Sequence, residues 1–286
     1  KKLIFIMRTN SNYISLLLKK EILGLIRKTK KGHLGGTFSV LDILISLFNY
    51  KKFKLSKKDF RRGKNDKVIL SKGHSALAFY AVLEYFKISD YYKIIDYNKS
   101  HKSLLEHPTL TKNTKELSVE TGSLGQGLSI ASGLALSNIK TKKKIICILG
   151  DGELYEGSVW ESLLFISHHK LNNLLIIVDR NNLITLGNTE KVNKLENLKK
   201  KFNSFNFDVR VCDGHNFKSL NKNLNSFSKK KNNSKPIILI CKTIKGKDIF
   251  SWEGKNTIHH GIPSEYEFKK SIQNLETKIK NLRKKR

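Results

Sequence analysis

The chain has 286 residues, enough for one large α/β domain with a sizeable core, and its formal charge is +31, from 55 Lys and Arg against 24 Asp and Glu. Base readout and bidentate phosphate contacts favour arginine, so 47 lysines against 8 arginines, spread along the chain, indicate a solvated surface rather than a nucleic-acid interface. The cysteines form no CxxC pair, which argues against a disulfide framework and a cysteine metal centre. No apolar run reaches about 18 residues, which argues against a membrane span. Together these features predict a reducing, cytoplasmic setting.

The N-terminal part predicts two amphipathic helices joined by a glycine-rich loop. Apolar residues at helical spacing indicate helices over 11–30 and 40–48. Between them lies Gly32-His-Leu-Gly-Gly36, which we expect to be a loop that ends near a helix cap at Thr37 or Ser39. Three glycines in one loop would let the backbone approach a ligand closely.

Five apolar runs without polar alternation predict parallel strands that are buried on both faces. Helical segments such as 76–85 and 156–169 lie between them, so we expect an α/β fold with a doubly wound, mostly parallel sheet and helices on both faces. Residues 1–286 are expected to form a single domain, with a disordered extension at 1–10 and a C-terminal helix and basic tail at 264–286. The strands are expected at 67–70, 144–149, 173–178, 207–211 and 236–241.

The main candidate site lies in the strand-helix-strand unit from 145 to 182. One strand ends before the tight turn Gly150-Asp151-Gly152, and the next ends before Asn181. A right-handed crossover places both strand ends at the same edge of the sheet, so Asp151 and Asn181 are expected to face one another. A carboxylate, an amide and a nearby backbone carbonyl suit Mg²⁺ or Ca²⁺ and leave room for phosphate oxygens. The same residues also occur in purely structural turns, so both interpretations, a metal site and a structural turn, stay open.

A second glycine loop, Gly122-Ser-Leu-Gly-Gln-Gly127, precedes a segment rich in small apolar residues. Its spacing differs from the dinucleotide fingerprint G-x-G-x-x-G, which argues against a Rossmann site. Two interpretations stay open: a helix start that packs closely on the sheet, or backbone polar groups offered to a ligand.

Four histidines lie in loops marked by glycine or proline: His33, His74, His107 and His260. An imidazole can hydrogen-bond a phosphate, hold a sugar hydroxyl or move a proton near neutral pH. Each one alone would be interpreted as a surface or capping histidine. Their shared position in glycine loops or after predicted strands favours one common site.

Seven short motifs follow one another along the chain: Lys31-Gly-His-Leu-Gly-Gly36, Leu70-Ser-Lys-Gly-His74, His107-Pro108, Thr121-Gly-Ser-Leu-Gly-Gln-Gly127, Gly150-Asp-Gly-Glu-Leu-Tyr-Glu-Gly157, Val178-Asp-Arg-Asn-Asn182 and His259-His-Gly261. Their order resembles that of transketolases, and most closely that of the separately encoded N-terminal subunit of split transketolases. The resemblance covers the chain from about Lys30 to the C-terminal helix. It implies a thiamine diphosphate-binding fold, with thiamine diphosphate and Mg²⁺ or Ca²⁺ as cofactors.

The resemblance also implies roles for residues around the cofactor diphosphate. Asp151, Asn181 and the main-chain oxygen of Leu183 would hold the metal that bridges the diphosphate. His74 would contact the diphosphate itself, with Gly152 nearby. This metal set agrees with the one that the crossover argument suggests.

Further implied roles concern the sugar and the contact between subunits. His33 and His107 would face the donor sugar and the reacting carbon, and His260 would contact both the diphosphate and the sugar. Glu156 matches a family carboxylate that lies near the contact between subunits and is linked to proton communication between sites.

The ring side of the cofactor involves Gly122 and Leu124, which would offer backbone contacts to the aminopyrimidine. Two positions depart from the pattern of single-chain members, since Leu34 and Ser123 stand where those members usually have proline. These departures change the stiffness of two loops and remove no ligand.

The length of the chain implies a separate partner. Single-chain transketolases continue into a pyrimidine-binding domain, which supplies the glutamate that activates the cofactor, and into a C-terminal domain. The resemblance therefore implies a C-terminal transketolase subunit, expected in a dimer of heterodimers, and no activity for this chain alone. Together the subunits would transfer a two-carbon ketol unit between sugar phosphates, as in the pentose phosphate pathway.

Two other functions remain as alternatives. One is a subunit of a different thiamine diphosphate enzyme, such as a 2-oxo acid dehydrogenase component or a deoxyxylulose phosphate synthase. The pattern of four histidines argues against it. The other is a basic nucleic-acid-binding protein that retains the fold, for which a steep salt dependence would be diagnostic.

Overall fold

The computed structural model describes residues 10–99, 104–112, 114, 116–141, 143–229, 234–256 and 261–284. Five parallel strands form its main sheet in the order β1-β2-β3-β7-β6. All five lie within one or two residues of the predicted runs, so the predicted parallel sheet is confirmed. A short antiparallel pair, β4 and β5, follows β3. The strands are β1 Lys67–Leu70, β2 Ile145–Gly150, β3 Leu174–Arg180, β4 Leu183–Ile184, β5 Gly187–Asn188, β6 Asp208–Asp213 and β7 Ile237–Lys242.

Helices cover both faces of the sheet. The first core contains side chains of α1, α2, α4, α9 and α10, and the second contains side chains of α5, α6 and α8. The predicted doubly wound arrangement is therefore confirmed. The helices are α1 Ser11–Thr29, α2 Leu34–Asn49, α3 Lys57–Arg61, α4 Ala76–Tyr85, α5 Gln126–Ser137, α6 Gly157–His168, α7 Thr189–Val192, α8 Leu198–Ser204, α9 Phe217–Ser228 and α10 Glu265–Lys284.

Alternate residues of each central strand enter opposite cores. Ile146 and Ile148 of β2 lie in the first core, whereas Ile145 and Cys147 lie in the second. Both sets are apolar because both faces of the strand are covered, which explains the absence of polar alternation in the sequence. The three cysteines are free thiols.

The glycine-rich segment near residue 35 is helical, which corrects the predicted loop. Helix α2 begins at Leu34, so Gly35 and Gly36 belong to its first turn. A Cβ on Gly36 would lie 2.9 Å from Ser75 Oγ and 3.1 Å from the His74 ring. The glycine therefore lets α2 pack against the turn that carries His74, a role that local sequence patterns do not reveal.

The two later glycine segments also differ in detail from the prediction. Residues Asp151–Tyr155 form a 3-10 helix rather than a simple tight turn. At the other loop, Gly125 has φ of +80° and directly precedes α5. A Cβ on Gly127 would lie 2.4 Å from Ser71 Oγ, so this helix start packs closely on the loop after β1.

Both ends of the chain were assigned from sequence as an extension and a tail. Residues 1–9 and 285–286 lie outside the described residues, while Asn10 caps α1 by accepting hydrogen bonds from the amides of Asn12 and Tyr13. The C-terminal helix, expected over 264–282, runs from Glu265 to Lys284. Within the described ranges, no helix combines the length and the apolar character that crossing a membrane requires.

Candidate functional site

A cleft of about 270 Å³ opens at the carboxyl ends of β1, β2 and β3. Because β2 and β3 pair through Gly150 and Asp179, the chain leaves both strands beside this cleft. The structure thus brings Asp151 and Asn181 together, as the crossover argument expected. Seven of the residues singled out from the sequence line the cleft: His74, Leu124, Asp151, Gly152, Glu156, Asn181 and Leu183.

Three further predicted residues lie beside the cleft. The ring of His33 is 5.6 Å from that of His74 and 6.1 Å from that of His107, between centroids. Gly122 packs on His107, since a Cβ on this glycine would lie 3.2 Å from the imidazole ring. His260 lies outside the described residues. The structure therefore places His33, His74 and His107 in one cluster at the edge of the cleft.

The Asp151 carboxylate is buried, with a relative exposure of 2%. Its Oδ2 accepts hydrogen bonds from the amide of Asn182 at 2.6 Å and from Arg180 Nη1 at 3.1 Å. Burial and the neighbouring Asp179 carboxylate raise the pKa of Asp151 to about 6, even though Arg180 opposes this shift. The site therefore disfavours an additional negative charge and would gain from a cation beside Asp151.

Asn181 and Leu183 line the same cleft as Asp151. The side-chain oxygen of Asn181 accepts a hydrogen bond from the amide of Leu183 at 3.0 Å, which fixes the side chain on its own loop. No group of three or more His, Cys, Asp or Glu side chains with metal-binding geometry occurs in the described part of the chain. A metal held here would consequently need oxygens from an amide, a backbone carbonyl, a ligand or water beside the one carboxylate.

Lys245 is the feature of the cleft that the sequence analysis missed. It lies three residues after β7, is only 3% exposed, and its Nζ has no hydrogen-bond partner among the described residues. Burial and the nearby Lys72 ammonium lower the pKa of Lys245 to about 8. An unpaired, buried cation that lines a cleft is complementary to an anionic ligand. The signal available in the sequence was its place just beyond the carboxyl end of a strand.

Lys72, the second lysine of the cleft, is fully engaged within the protein. Its Nζ donates to Asp179 Oδ2 at 2.5 Å and to Ser39 Oγ at 3.3 Å. Asp179 also accepts from Thr243 Oγ1. The buried pair thus joins α2, β3 and the loop after β7. Across the described ranges, no group neutralises Lys245, the other lysine of the cleft, at contact distance.

Glu153 connects the two glycine segments. Its buried carboxylate accepts hydrogen bonds from Ser71 Oγ at 2.5 Å and from the amides of Gly150 at 2.8 Å and Gly125 at 3.1 Å. Burial raises the pKa of Glu153, and these three donors counteract that effect. Glu156, in contrast, lies exposed at the rim, where a Cβ on Gly125 would come within 2.6 Å of it.

The cleft lies at the carboxyl ends of a doubly wound parallel sheet, where such folds bind their ligands, and its lysine, which has no hydrogen-bond partner among the described residues, is complementary to an anionic ligand. Residues 12–278 match the family described as transketolase, thiamine diphosphate binding domain. The chain belongs to this family. The predicted resemblance to transketolases is thereby confirmed.

Two relatives and one solved structure show how far the similarity extends. An apulose-4-phosphate transketolase subunit of Phocaeicola vulgatus is 32% identical over 93% of this chain and 94% of its own length. The 6-deoxy-6-sulfo-D-fructose transketolase subunit of a Clostridium species is 32% identical over 91% of this chain and 94% of its own length. The crystal structure of Campylobacter jejuni transketolase superposes with a TM-score of 0.81 at 27% identity, and it covers 94% of this chain.

These similarities favour a thiamine diphosphate-dependent transketolase subunit over the two alternatives drawn from the sequence. The chain spans only 43% of the Campylobacter jejuni transketolase chain but almost the full length of the two subunit relatives.

Proposed function

We propose that this chain is the N-terminal subunit of a split transketolase and that residues 1–286 form a single diphosphate-binding domain. The observation that carries the proposal is that the Lys245 ammonium, which has no hydrogen-bond partner in the described part of the chain, lies in the same cleft as the Asp151 carboxylate and the Asn181 amide. A diphosphate bridged by a divalent cation needs both a cationic partner and oxygen ligands. The cleft offers both, within a family defined by thiamine diphosphate binding.

Asp151, Asn181 and the main-chain oxygen of Leu183 would hold Mg²⁺ or Ca²⁺. Their chemistry fits, because hard cations prefer carboxylate, amide and carbonyl oxygens and accept phosphate and water oxygens as further ligands. The raised pKa of Asp151 supports the assignment, since a divalent cation would stabilise the ionised carboxylate that burial disfavours.

Lys245 and His74 would bind the cofactor diphosphate, together with His260. Gly152 would leave its backbone accessible to the phosphate oxygens because it has no side chain. A larger residue does not fit there, since a Cβ would lie 2.7 Å from Ile184 Cγ2. Leu124 lines the same cleft, and Gly122 lies beside His107. Their backbone groups would face the aminopyrimidine.

When bound, thiamine diphosphate supplies the carbon nucleophile and the electron sink that breaking and forming a sugar carbon–carbon bond require. This chain would contribute orientation and proton transfer. His33 and His107, whose rings lie 6.1 Å apart between centroids, would hold hydroxyls of the donor sugar and move protons to and from them. The resemblance assigns His260 to the same sugar. The exposed Glu156 at the rim would serve proton communication with the partner subunit.

The substrates would be a ketose phosphate as donor and an aldose phosphate as acceptor. The subunit relatives are named for different sugars, apulose 4-phosphate and 6-deoxy-6-sulfo-D-fructose. The proposal is therefore the transfer of a two-carbon ketol unit between phosphorylated sugars as a class.

Binding of the cofactor provides the direct test. We expect Mg²⁺ plus thiamine diphosphate at about 100 times the dissociation constant to add about 3 kcal/mol to the free energy of unfolding, or about 5–10 °C in Tm. Mg²⁺ alone, or Mg²⁺ with thiamine lacking the diphosphate, should leave Tm nearly unchanged. A rise that thiamine itself produces, or one that tRNA alone produces, would contradict a diphosphate site.

The partner would be the separate C-terminal, pyrimidine-binding subunit, in a dimer of heterodimers. The surface proposed to contact it is the α5–α6 face, formed by Ile130, Gly133, Leu164 and Phe165. Leu164 is 62% exposed and Ile130 is 40% exposed, although both are large and apolar. The two helices are joined through Ser129 and Ser162, whose hydroxyls lie 2.9 Å apart. This face adjoins the cleft, because α6 begins directly after Glu156.

Replacing Leu164 with glutamate is expected to abolish or greatly weaken association with the C-terminal subunit, because a charge would be buried in an apolar contact. The measurement is co-purification after co-expression of both subunits, followed by light scattering. Val211→Glu is the matched control, since Val211 is also exposed but lies on the edge strand β6. Equal association of both variants, or a self-associating chain that ignores the C-terminal subunit, would refute the assignment.

A further inference from the structure

The segment 243–248, which follows β7 and carries Lys245, is held by a histidine outside the cleft. The amide of Ile244 donates a hydrogen bond to His215 Nε2 at 2.9 Å. His215 lies two residues after β6, in the loop next to the end of β7. The residue directly before Lys245 is therefore fixed by a side chain that does not line the cleft.

The hydrogen bonds of His215 determine its tautomer. Because Nε2 accepts a hydrogen bond from a backbone amide, it carries no proton. The proton is therefore on Nδ1, which lies 2.7 Å from Asp42 Oδ2 and donates to it. Asp42 has a side-chain exposure of 4% and also accepts from Ser15 Oγ at 2.5 Å.

Asp42 is connected to the far end of the same segment as well. Lys19 Nζ lies 3.6 Å from Asp42 and 2.7 Å from Asp248, and its side chain is 2% exposed. Burial tends to raise the pKa of Asp42, but Lys19 and His215 bring this pKa below its usual range. We refer to Asp42, His215, Lys19 and Asp248 as the anchor. It holds the segment on both sides of Lys245, at Ile244 and at Asp248.

The anchor matters because no described residue, in the anchor or outside it, neutralises Lys245 at contact distance. A buried ammonium without a hydrogen-bond partner gains free energy if its segment shifts and lets it reach water. Keeping such a charge in the cleft requires a backbone that is fixed independently of the ligand. The amide of Gly254 donates to the Lys245 carbonyl at 2.9 Å, and the hydrogen bond from Ile244 to His215 adds a second constraint on the preceding residue.

We propose that His215 and Asp42 are positioning residues that hold Lys245 in the cleft and thereby set the affinity of the chain for the cofactor diphosphate, an inference that rests on the proposed function. Neither residue lines the cleft. Their effect is transmitted through the backbone of Ile244.

Two substitutions of His215 separate positioning from general packing. In His215→Gln the amide oxygen takes the place of Nε2 and can still accept from Ile244. In His215→Asn the shorter amide takes the place of Nδ1, so it can donate to Asp42 but cannot reach Ile244. We expect His215→Asn to weaken Mg²⁺-dependent thiamine diphosphate binding about 10-fold or more, as loss of a supporting hydrogen bond does at comparable sites. His215→Gln should bind close to the wild-type value.

Amide hydrogen exchange of segment 243–248 in the ligand-free full-length chain provides a readout that does not depend on the cofactor. It should become faster in His215→Asn and remain near wild type in His215→Gln. The matched control is His168→Asn, because His168 is exposed and its helix α6 packs on the opposite face of the sheet. This control should change neither exchange in the segment nor affinity.

The possible failures are distinguishable. Equal losses of affinity and of Tm in both His215 variants would assign the histidine a purely structural role and overturn the inference. Wild-type affinity and wild-type exchange in His215→Asn would overturn it as well. Absence of cofactor binding by the wild-type chain would instead overturn the proposed function, and with it any effect of the anchor on that affinity.

Discussion

Replacing Lys245 with methionine is expected to stabilise the ligand-free chain while it weakens binding of the cofactor diphosphate. In the ligand-free protein the ammonium is buried, no described residue pairs with it, and its pKa is lowered from 10.5 to about 8. Removing this unfavourable charge should add about 1–3 kcal/mol to the free energy of unfolding and raise Tm by about 2–6 °C. The rise in Tm that Mg²⁺ plus thiamine diphosphate produces should shrink to less than half, because the diphosphate loses its charged partner.

The same lowered pKa predicts a pH dependence with a defined sign. Between pH about 8 and 10.5 the folded chain holds fewer protons at Lys245 than the unfolded chain does, so the stability of the ligand-free chain gains from this group as pH rises. Cofactor binding changes in the opposite direction and weakens above pH 8, since the diphosphate needs the charged ammonium. Both trends should be absent in Lys245→Met.

Thermal unfolding and calorimetric titration across this pH range measure both effects. Lys242→Met is the matched control, because Lys242 is exposed at the end of β7, three residues away. A ligand-free Lys245→Met chain that is less stable than wild type, or one that retains the full cofactor-induced shift, would refute the role assigned to Lys245.

Replacing Asp151 with asparagine is expected to raise the dissociation constant for Mg²⁺ and thiamine diphosphate by at least about 100-fold. Loss of a residue that only supports a metal ligand already weakens metal binding about 10–100-fold. Asp151 is the carboxylate proposed to contact the metal directly, so its loss should cost more. The ligand-free fold should persist, since an amide oxygen can still accept from Arg180 and from the amide of Asn182.

The stability of the ligand-free Asp151→Asn chain provides an internal check on this prediction. The pKa of Asp151 is raised from 3.8 to about 6, so its ionised form costs stability above pH 6. Tm of the variant at neutral pH should therefore not fall. Asp90→Asn, a change at an exposed surface aspartate, is the control for titrations with cofactor and metal. Unchanged metal-dependent affinity in Asp151→Asn would exclude the proposed metal site.

The sequence predicts the sheet well because strands that are buried on both faces appear in the sequence as continuous apolar runs. Strands such as Ile145–Gly150 and Ile237–Lys242 are buried at almost every position, so their sequences are apolar almost throughout. The start of α2 was predicted less well. Its glycines look like a loop locally, and the turn against which Gly36 packs lies almost forty residues further along the chain.

In the candidate site, too, some residues could be predicted from the sequence and others could not. Asp151 and Asn181 could be placed from sequence, because a crossover connection dictates where two neighbouring strands end. Lys245 could not, since 47 lysines give no indication which one is buried and unpaired. The role of Glu153 could not be predicted either, because two of its three donors, Ser71 and the amide of Gly125, lie far from it in the sequence and reach it only after folding.

Glu153 also determines how the cleft relates to the outside of the molecule. It fixes the amide of Gly125, and the carbonyl of Gly125 accepts from Ser158 Oγ in the first turn of α6. The turn proposed to hold the metal and the first turn of a helix proposed to meet the partner are therefore connected by hydrogen bonds through one buried carboxylate. We expect binding of the partner outside and of the ligand in the cleft to be coupled, so that each strengthens or weakens the other by the same factor.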